Sequence, residues 1–194
     1  MNWNYIFNPI AKFPDKALML VGVLSFAFGS FVSWRYQMIY DGILDAHSFP
    51  TISYITAFLS NAINIIIMCV GLFAIGKVIN QKTRMIDILN TSFLYRIPIY
   101  IMAILSGLPI QKEFEAKLME NISHLQDLNL TTNEMIFVFI FSIFALVMLA
   151  YSIVIIVNGF RTATNAKEVI HFLSLAIFII VAEVLSKLVV NAIL

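Results

Sequence analysis

MIFVFIFSIFALVMLAYSIVIIV, Met135–Val157, is the stretch that decides the fold: it contains no charged residue, and its only polar side chains are two serines and a tyrosine. As a helix at about 1.5 Å per residue it exceeds the ~30 Å of bilayer hydrocarbon. Apolar and polar residues do not alternate along it, so it does not read as a barrel strand. In lipid the backbone must satisfy its own hydrogen bonds, which leaves a transmembrane helix. Working outward, four further stretches have the same character: Ala17–Met38, Tyr54–Ile79, Ile86–Leu108 and Val169–Leu194. The expected fold is an all-α integral membrane protein, one domain over residues 1–194, with five transmembrane helices in one bundle.

Composition agrees. Of 194 residues, 61% are hydrophobic and 12% charged, at a mean hydropathy of +0.93. An ordinary soluble domain is about 45–50% apolar and about 25% charged. The excess excludes a soluble enzyme and a disordered chain, and the net charge of +1 excludes a nucleic-acid binder. A lone cysteine, Cys69, forms no internal disulfide.

Local signals set the span ends. Thr131-Thr132-Asn133-Glu134 reads as a capping box opening the fourth span. Asn158-Gly159 is expected to stop that helix, and Asn165 with Glu168 to cap the fifth. Pro98 should kink the third. The start, with Trp3, Tyr5, Phe7, Pro9 and Pro14 before a long apolar run, reads as a retained first span rather than a cleaved signal.

Basic residues give orientation. Lys12, Lys16, Lys77, Lys82, Arg84, Arg161 and Lys167 fall on one side of the expected membrane, against Arg35, Lys112 and Lys117 on the other. The richer side is the cytoplasmic one, so the N-terminus is expected inside and the C-terminus outside. These seven cations form a basic face suited to anionic headgroups or to a partner. Between the third and fourth spans, Phe114, Leu118, Ile122 and Leu125 recur at helical spacing. They mark an external amphipathic helix lying on the bilayer or over the bundle mouth.

Polar groups at membrane depth carry most functional information. Arg96 lies ten residues into the third span and Glu183 eleven past Phe172 in the fifth, both about 15 Å deep. An Arg96–Glu183 ion pair is the expected way to neutralise both, with Lys187 one turn on from Glu183. Asn64 lies ten residues after Tyr54, with Asn61 on the same face. This network of Arg96, Glu183, Lys187, Asn61 and Asn64 admits two readings. It either lines a hydrated route for an ion or solute or holds the helices together. The Phe-rich fourth span faces either lipid or a second copy or other membrane partner.

Asp41, Asp45 and His47 resemble ligands for a hard cation. No fourth ligand accompanies them, and a solvated helix end is the preferred reading. His124 and His171 fall on opposite sides of the expected membrane. No zinc-protease, nucleophile-elbow or phosphate-loop pattern occurs. Neither an enzyme nor a cofactor is expected.

Three segments carry a resemblance. FNPIAKFP (Phe7–Pro14), SFLYRIPIYIMAILSGLP (Ser92–Pro109) and LAYSIVIIVNGFRTATNAKEVIHF (Leu149–Phe172) resemble the approach to the first span, the third span with its mid-helix proline, and the fourth-to-fifth turn of the Yip (Ypt/Rab-GTPase-interacting) membrane family. The long N-terminal region and acidic-aromatic-glycine-proline motif of eukaryotic members do not occur in this sequence, so Rab-type GTPase binding is not expected. The chain is similar to the compact prokaryotic members. That implies a multi-pass protein of the plasma membrane that organises membrane or recruits partners, with no catalytic residue to assign.

Overall fold

The computed structural model describes residues 3–122 and 130–193. Of the described residues, 78% are helical. A short α1 (Asn4–Phe7) and a 3₁₀ turn (Pro9–Ala11) precede α2 (Asp15–Tyr36), α3 (Tyr54–Ile79), α4 (Met85–Leu94) and α5 (Ile97–Ser106). Then come α6 (Pro109–Glu120), α7 (Thr132–Thr164) and α8 (Val169–Asn191). Five helical stretches are long and apolar enough to cross a membrane: α2, α3, the α4–α5 pair, α7 and α8. A two-residue antiparallel pairing, β1 (Met38–Ile39) with β2 (His47–Ser48), interrupts the helical pattern between α2 and α3.

The third span is two helices rather than one kinked helix. Proline has no N–H, so Pro98 cannot bond back to the Leu94 carbonyl. The chain breaks just before it, at Tyr95–Arg96, and resumes when the Tyr100 N–H bonds to the Arg96 carbonyl at 3.0 Å. Arg96 therefore sits at a joint.

The fourth helix runs past the expected stop. Asn158-Gly159 lies within α7, which continues to Thr164 and closes on Asn165 in the left-handed region (φ 56°). Gly159 serves close approach instead: a Cβ there would lie 2.1 Å from Thr91 Oγ1 on α4. Asn165 thus ends α7 and does not start α8, whose N-cap, Glu168, makes no side-chain capping bond. The capping box at Thr131 and Glu134 forms as expected. At 33 residues α7 is about 50 Å long, well beyond the bilayer core.

Packing centres on α3, which touches α2, α4, α7 and α8. Met68, Leu72, Ile88, Ile156 and Phe160 form the fully buried middle. The outward surfaces of α7 and α8 are apolar and exposed, as at Phe139, Ile140, Ile180 and Leu188. Such a surface suits hydrocarbon and not water. In α6, Phe114 and Leu118 turn partly inward, but the helix ends at Glu120, so Ile122 lies beyond it and is exposed. Leu125 and His124 lie outside the described residues.

Candidate functional site, a buried loop at Arg96

The connection from α2 to α3 turns back into the bundle. Gln37 leaves α2 in the left-handed region (φ 55°), and Met38, Ile39, Tyr40, Asp41, Gly42 and Ile43 are all buried. The sequence MIYDGIL (Met38–Leu44) explains why: five of its seven residues are apolar. Burying them also buries their peptide groups, which must then find partners. Irregular backbone is tolerated inside a membrane protein only where other protein groups or water satisfy it.

The surrounding helices supply those partners. The Ser33 hydroxyl of α2 donates to the Met38 carbonyl. Asn64 Nδ2 of α3 donates to the Tyr40 carbonyl at 2.7 Å. The Ser186 hydroxyl of α8 lies 2.8 Å from the Asp41 carbonyl and 2.6 Å from Asn64 Oδ1. Arg96 Nη1, from the α4–α5 joint, donates to the Gly42 and Ile43 carbonyls at 3.1 and 3.0 Å. On the other flank, Glu183 Oε2 accepts from the Leu44 N–H at 3.0 Å. Five carbonyls and one amide of a single loop are thus held by donors and an acceptor from every neighbouring wall.

Arg96 is fully buried. Its guanidinium lies against three rings, with Cζ 4.7 Å from the centroid of Tyr40, 5.8 Å from Tyr100 and 5.9 Å from Tyr95. Aromatic faces and carbonyl dipoles stabilise a cation where no carboxylate reaches it. Nε and Nη2 have no acceptor among the described residues. Tyr100 in turn donates to Asn61 Oδ1 at 2.9 Å, and Asn61 Nδ2 donates to the Ser30 hydroxyl at 3.0 Å.

The expected Arg96–Glu183 ion pair does not form. The loop stands between them, and Glu183 faces Lys187 at 3.5 Å instead. Lys187 also pairs with Asp45 at 2.7 Å. Asn61 and Asn64 do join the network, but through Tyr100 and the loop rather than through a charged side chain.

The candidate cation ligands are not a solvated helix end, nor do they converge. Asp41 is buried and its Oδ1 lies 3.2 Å from His47 Nδ1, whereas Asp45 turns to Lys187. Among the described residues no three His, Cys, Asp or Glu side chains gather as a metal site. Burial opposes ionisation of Asp41, but the His47 contact, with Lys187, outweighs it and holds the carboxyl below its ordinary range. The same contact raises His47, against partial desolvation and with help from the charges of Asp41 and Asp45.

The seven basic residues do share one end of the bundle. Arg84 there bridges Asp15 at 2.6 Å and Asp87 at 3.4 Å, and Lys77 caps the Gln81 carbonyl at 2.7 Å. Lys12, Lys16, Lys82, Arg161 and Lys167 are exposed and make no ion pair among the described residues.

Sequence reasoning missed Tyr40, Gly42, Tyr95, Tyr100 and Ser186. The available signal was MIYDGIL itself, an apolar run far too short to cross a membrane yet too apolar for an exposed turn. Set against protein-family models, curated proteins and solved structures, the chain finds no match.

Proposed function

We propose that this chain is a non-enzymatic integral membrane protein of the Yip-like type, which organises membrane or recruits a partner through its basic end. In this reading that end is cytoplasmic, the C-terminus lies outside and the membrane is a prokaryotic plasma membrane. One observation carries the proposal: Asn64, Arg96 and Glu183 are engaged in holding a loop, while cations stand exposed at the opposite end. A rigid bundle that presents charge at one end suits recruitment better than conversion of a substrate. Anionic headgroups or an acidic partner segment have the chemistry to meet Lys12, Lys16, Lys82, Arg161 and Lys167.

A second reading, a small ion or solute transporter, draws on one specific feature. Among the described residues, two N–H donors of Arg96 have no acceptor in the bundle interior. An anion or water passing there would supply them.

One pair of experiments separates the two. Under recruitment, photo-cross-linking in cells from a reactive residue beside Lys82 captures a partner. Lys12, Lys16, Lys82 and Lys167 changed together to Glu abolish that capture, with helicity unchanged. Proteoliposomes then carry no flux that depends on Arg96 or Glu183. Flux present in the wild type and lost in a folded Glu183→Gln variant would favour transport.

A further inference from the structure

Ahead of the first span, the chain runs along the side of α7. Ile10 is buried where the 3₁₀ turn meets α2, α4 and α7, and α1 lies against α7. The Tyr151 hydroxyl donates to the Ile6 carbonyl at 3.0 Å, and Asn158 Nδ2 donates to the Phe7 carbonyl at 2.8 Å. The Thr162 hydroxyl lies 3.3 Å from Asn8 Oδ1, which also accepts from the Ala11 N–H.

These contacts set a depth. Between Glu134 and Arg161, α7 carries no charged residue. Centring ~30 Å of hydrocarbon, about 20 helical residues, on that run puts its edge close to Asn158. Held at Asn158, α1 lies at the membrane boundary rather than in the water beyond it.

The polarity of the segment suits that depth. On a surface facing water, backbone carbonyls bond to solvent and aromatic rings turn inward. Here the carbonyls of Trp3, Ile6, Phe7, Pro9 and Pro14 all accept from within the chain, and the two prolines have no N–H to satisfy. The rings are what is left outside: Trp3 is 59%, Tyr5 50%, Phe7 42% and Phe13 45% exposed. Trp3 stacks on Phe7 with centroids 6.0 Å apart, and Tyr5 meets Phe13 edge-on at 5.6 Å. Tyr5 and Phe13 border the same groove as Val21 of α2, whose exposed neighbours Leu20 and Leu24 continue the apolar surface along a spanning helix. Lys12 and Lys16 stand exposed in the same stretch. Amphipathic rings beside lysines match the headgroup layer, which is apolar on one side and wet and phosphate-rich on the other.

We infer that residues 3–16 form an interfacial anchor whose partner is one leaflet of the bilayer. The rings of Trp3, Tyr5 and Phe7 lie among headgroups and the first carbons of the acyl chains, and Lys12 and Lys16 meet phosphates of the same leaflet. The inference needs only that the five apolar helices cross a bilayer. It does not depend on which side is cytoplasmic or on what the basic end recruits.

The chain has two tryptophans, so Trp34→Phe leaves Trp3 as the single reporter. The full-length variant is reconstituted into vesicles of phosphatidylcholine and phosphatidylglycerol, with bromine on the acyl chains either next to the headgroup or near the chain end. Trp3 fluorescence should fall most with bromine next to the headgroup, less with bromine near the chain end, and little with aqueous acrylamide. Should Trp34→Phe fail to fold, the difference between wild type and Trp3→Phe isolates the same signal. A second protein, Tyr151→Phe with Asn158→Leu, takes away the donors to the Ile6 and Phe7 carbonyls. Those carbonyls must then reach water, so acrylamide quenching of Trp3 should rise and bromine quenching fall. Strong acrylamide quenching of the first protein without bromine quenching would place the segment in water. Quenching by neither agent would mean that protein covers it, and strongest quenching from the chain end would place it in the core. Each of these, or an unchanged depth in the second protein, would overturn the assignment.

Discussion

Arg96 and Glu183 hold the same turn of chain from opposite flanks without pairing with each other. Arg96 draws the Gly42 and Ile43 carbonyls toward its guanidinium, and Glu183 takes the next amide, that of Leu44. The peptide dipoles between a cation and an anion are thereby aligned with the field the two charges create. The charges stabilise each other through the loop rather than across a direct contact.

The first consequence concerns Arg96. Arg96→Met leaves two buried carbonyls without their donor and should lower unfolding stability in detergent by about 2–5 kcal/mol. Arg96→Lys should recover only part of this, because an ammonium lacks the planar face that lies on Tyr40. Thermal unfolding of the three proteins measures the order wild type, Lys, Met.

Gly42 gives a sharper test of the geometry. A Cβ at this position would lie 2.0 Å from Glu183 Oε1. Gly42→Ala should therefore cost about 1–3 kcal/mol by forcing either the loop or Glu183 to move. Glu183→Ala in the same protein should cost less than it does alone, and a double-mutant cycle reads that coupling. Strict additivity would mean the two sites do not meet.

Tyr100 links the loop cradle to α2 and α3. Tyr100→Phe removes its bond to Asn61 Oδ1 while keeping the ring beside Arg96. A loss of about 1 kcal/mol is expected. Tyr100→Ala should cost several times more, since the cation then loses an aromatic wall.

The Asp41–His47 contact makes stability depend on pH in a defined window. His47 is raised above its ordinary 6.5, so its contribution is complete below 6.5 and is lost as pH rises through the raised value. Asp41 is lowered from 3.8, so its contribution is present above 3.8 and is lost as pH falls through the lowered value. The pair should stabilise most between pH 3.8 and 6.5. His47→Ala should flatten the stability profile on the alkaline side of that window.

Most of the helical frame was legible from apolar run length alone, because the bilayer fixes how long a span must be. Tyr54–Ile79 agrees at both ends, and Val169 opens the last helix as expected. The errors lie where tertiary contact overrides local signals. Gly159 looked like a helix stop and is a contact point for Thr91. Asn158 looked like part of that stop, yet its Nδ2 donates to the Phe7 carbonyl at 2.8 Å. Arg96, Asn64 and Glu183 meet around one loop, with Asn61 reached through Tyr100 and the partly exposed Lys187 beside Glu183. Depth counting could not reveal what occupied the space among them, because that loop belongs to none of the spans. A charge-pair argument joined Arg96 to Glu183 for lack of any other acceptor, and backbone carbonyls proved to be the acceptor.

The central claim is that Tyr40–Leu44 lies inside the bundle, held there by Arg96. Labelling single cysteines with a membrane-impermeant maleimide tests it, with Cys69→Ala as the background. Ile43 is fully buried and Ser48, on the same hairpin, is exposed. Ser48→Cys should label readily, and Ile43→Cys should stay protected until Arg96→Ala is added, after which it should label. Labelling of Ile43→Cys at the rate of Ser48→Cys while Arg96 is intact would contradict the account.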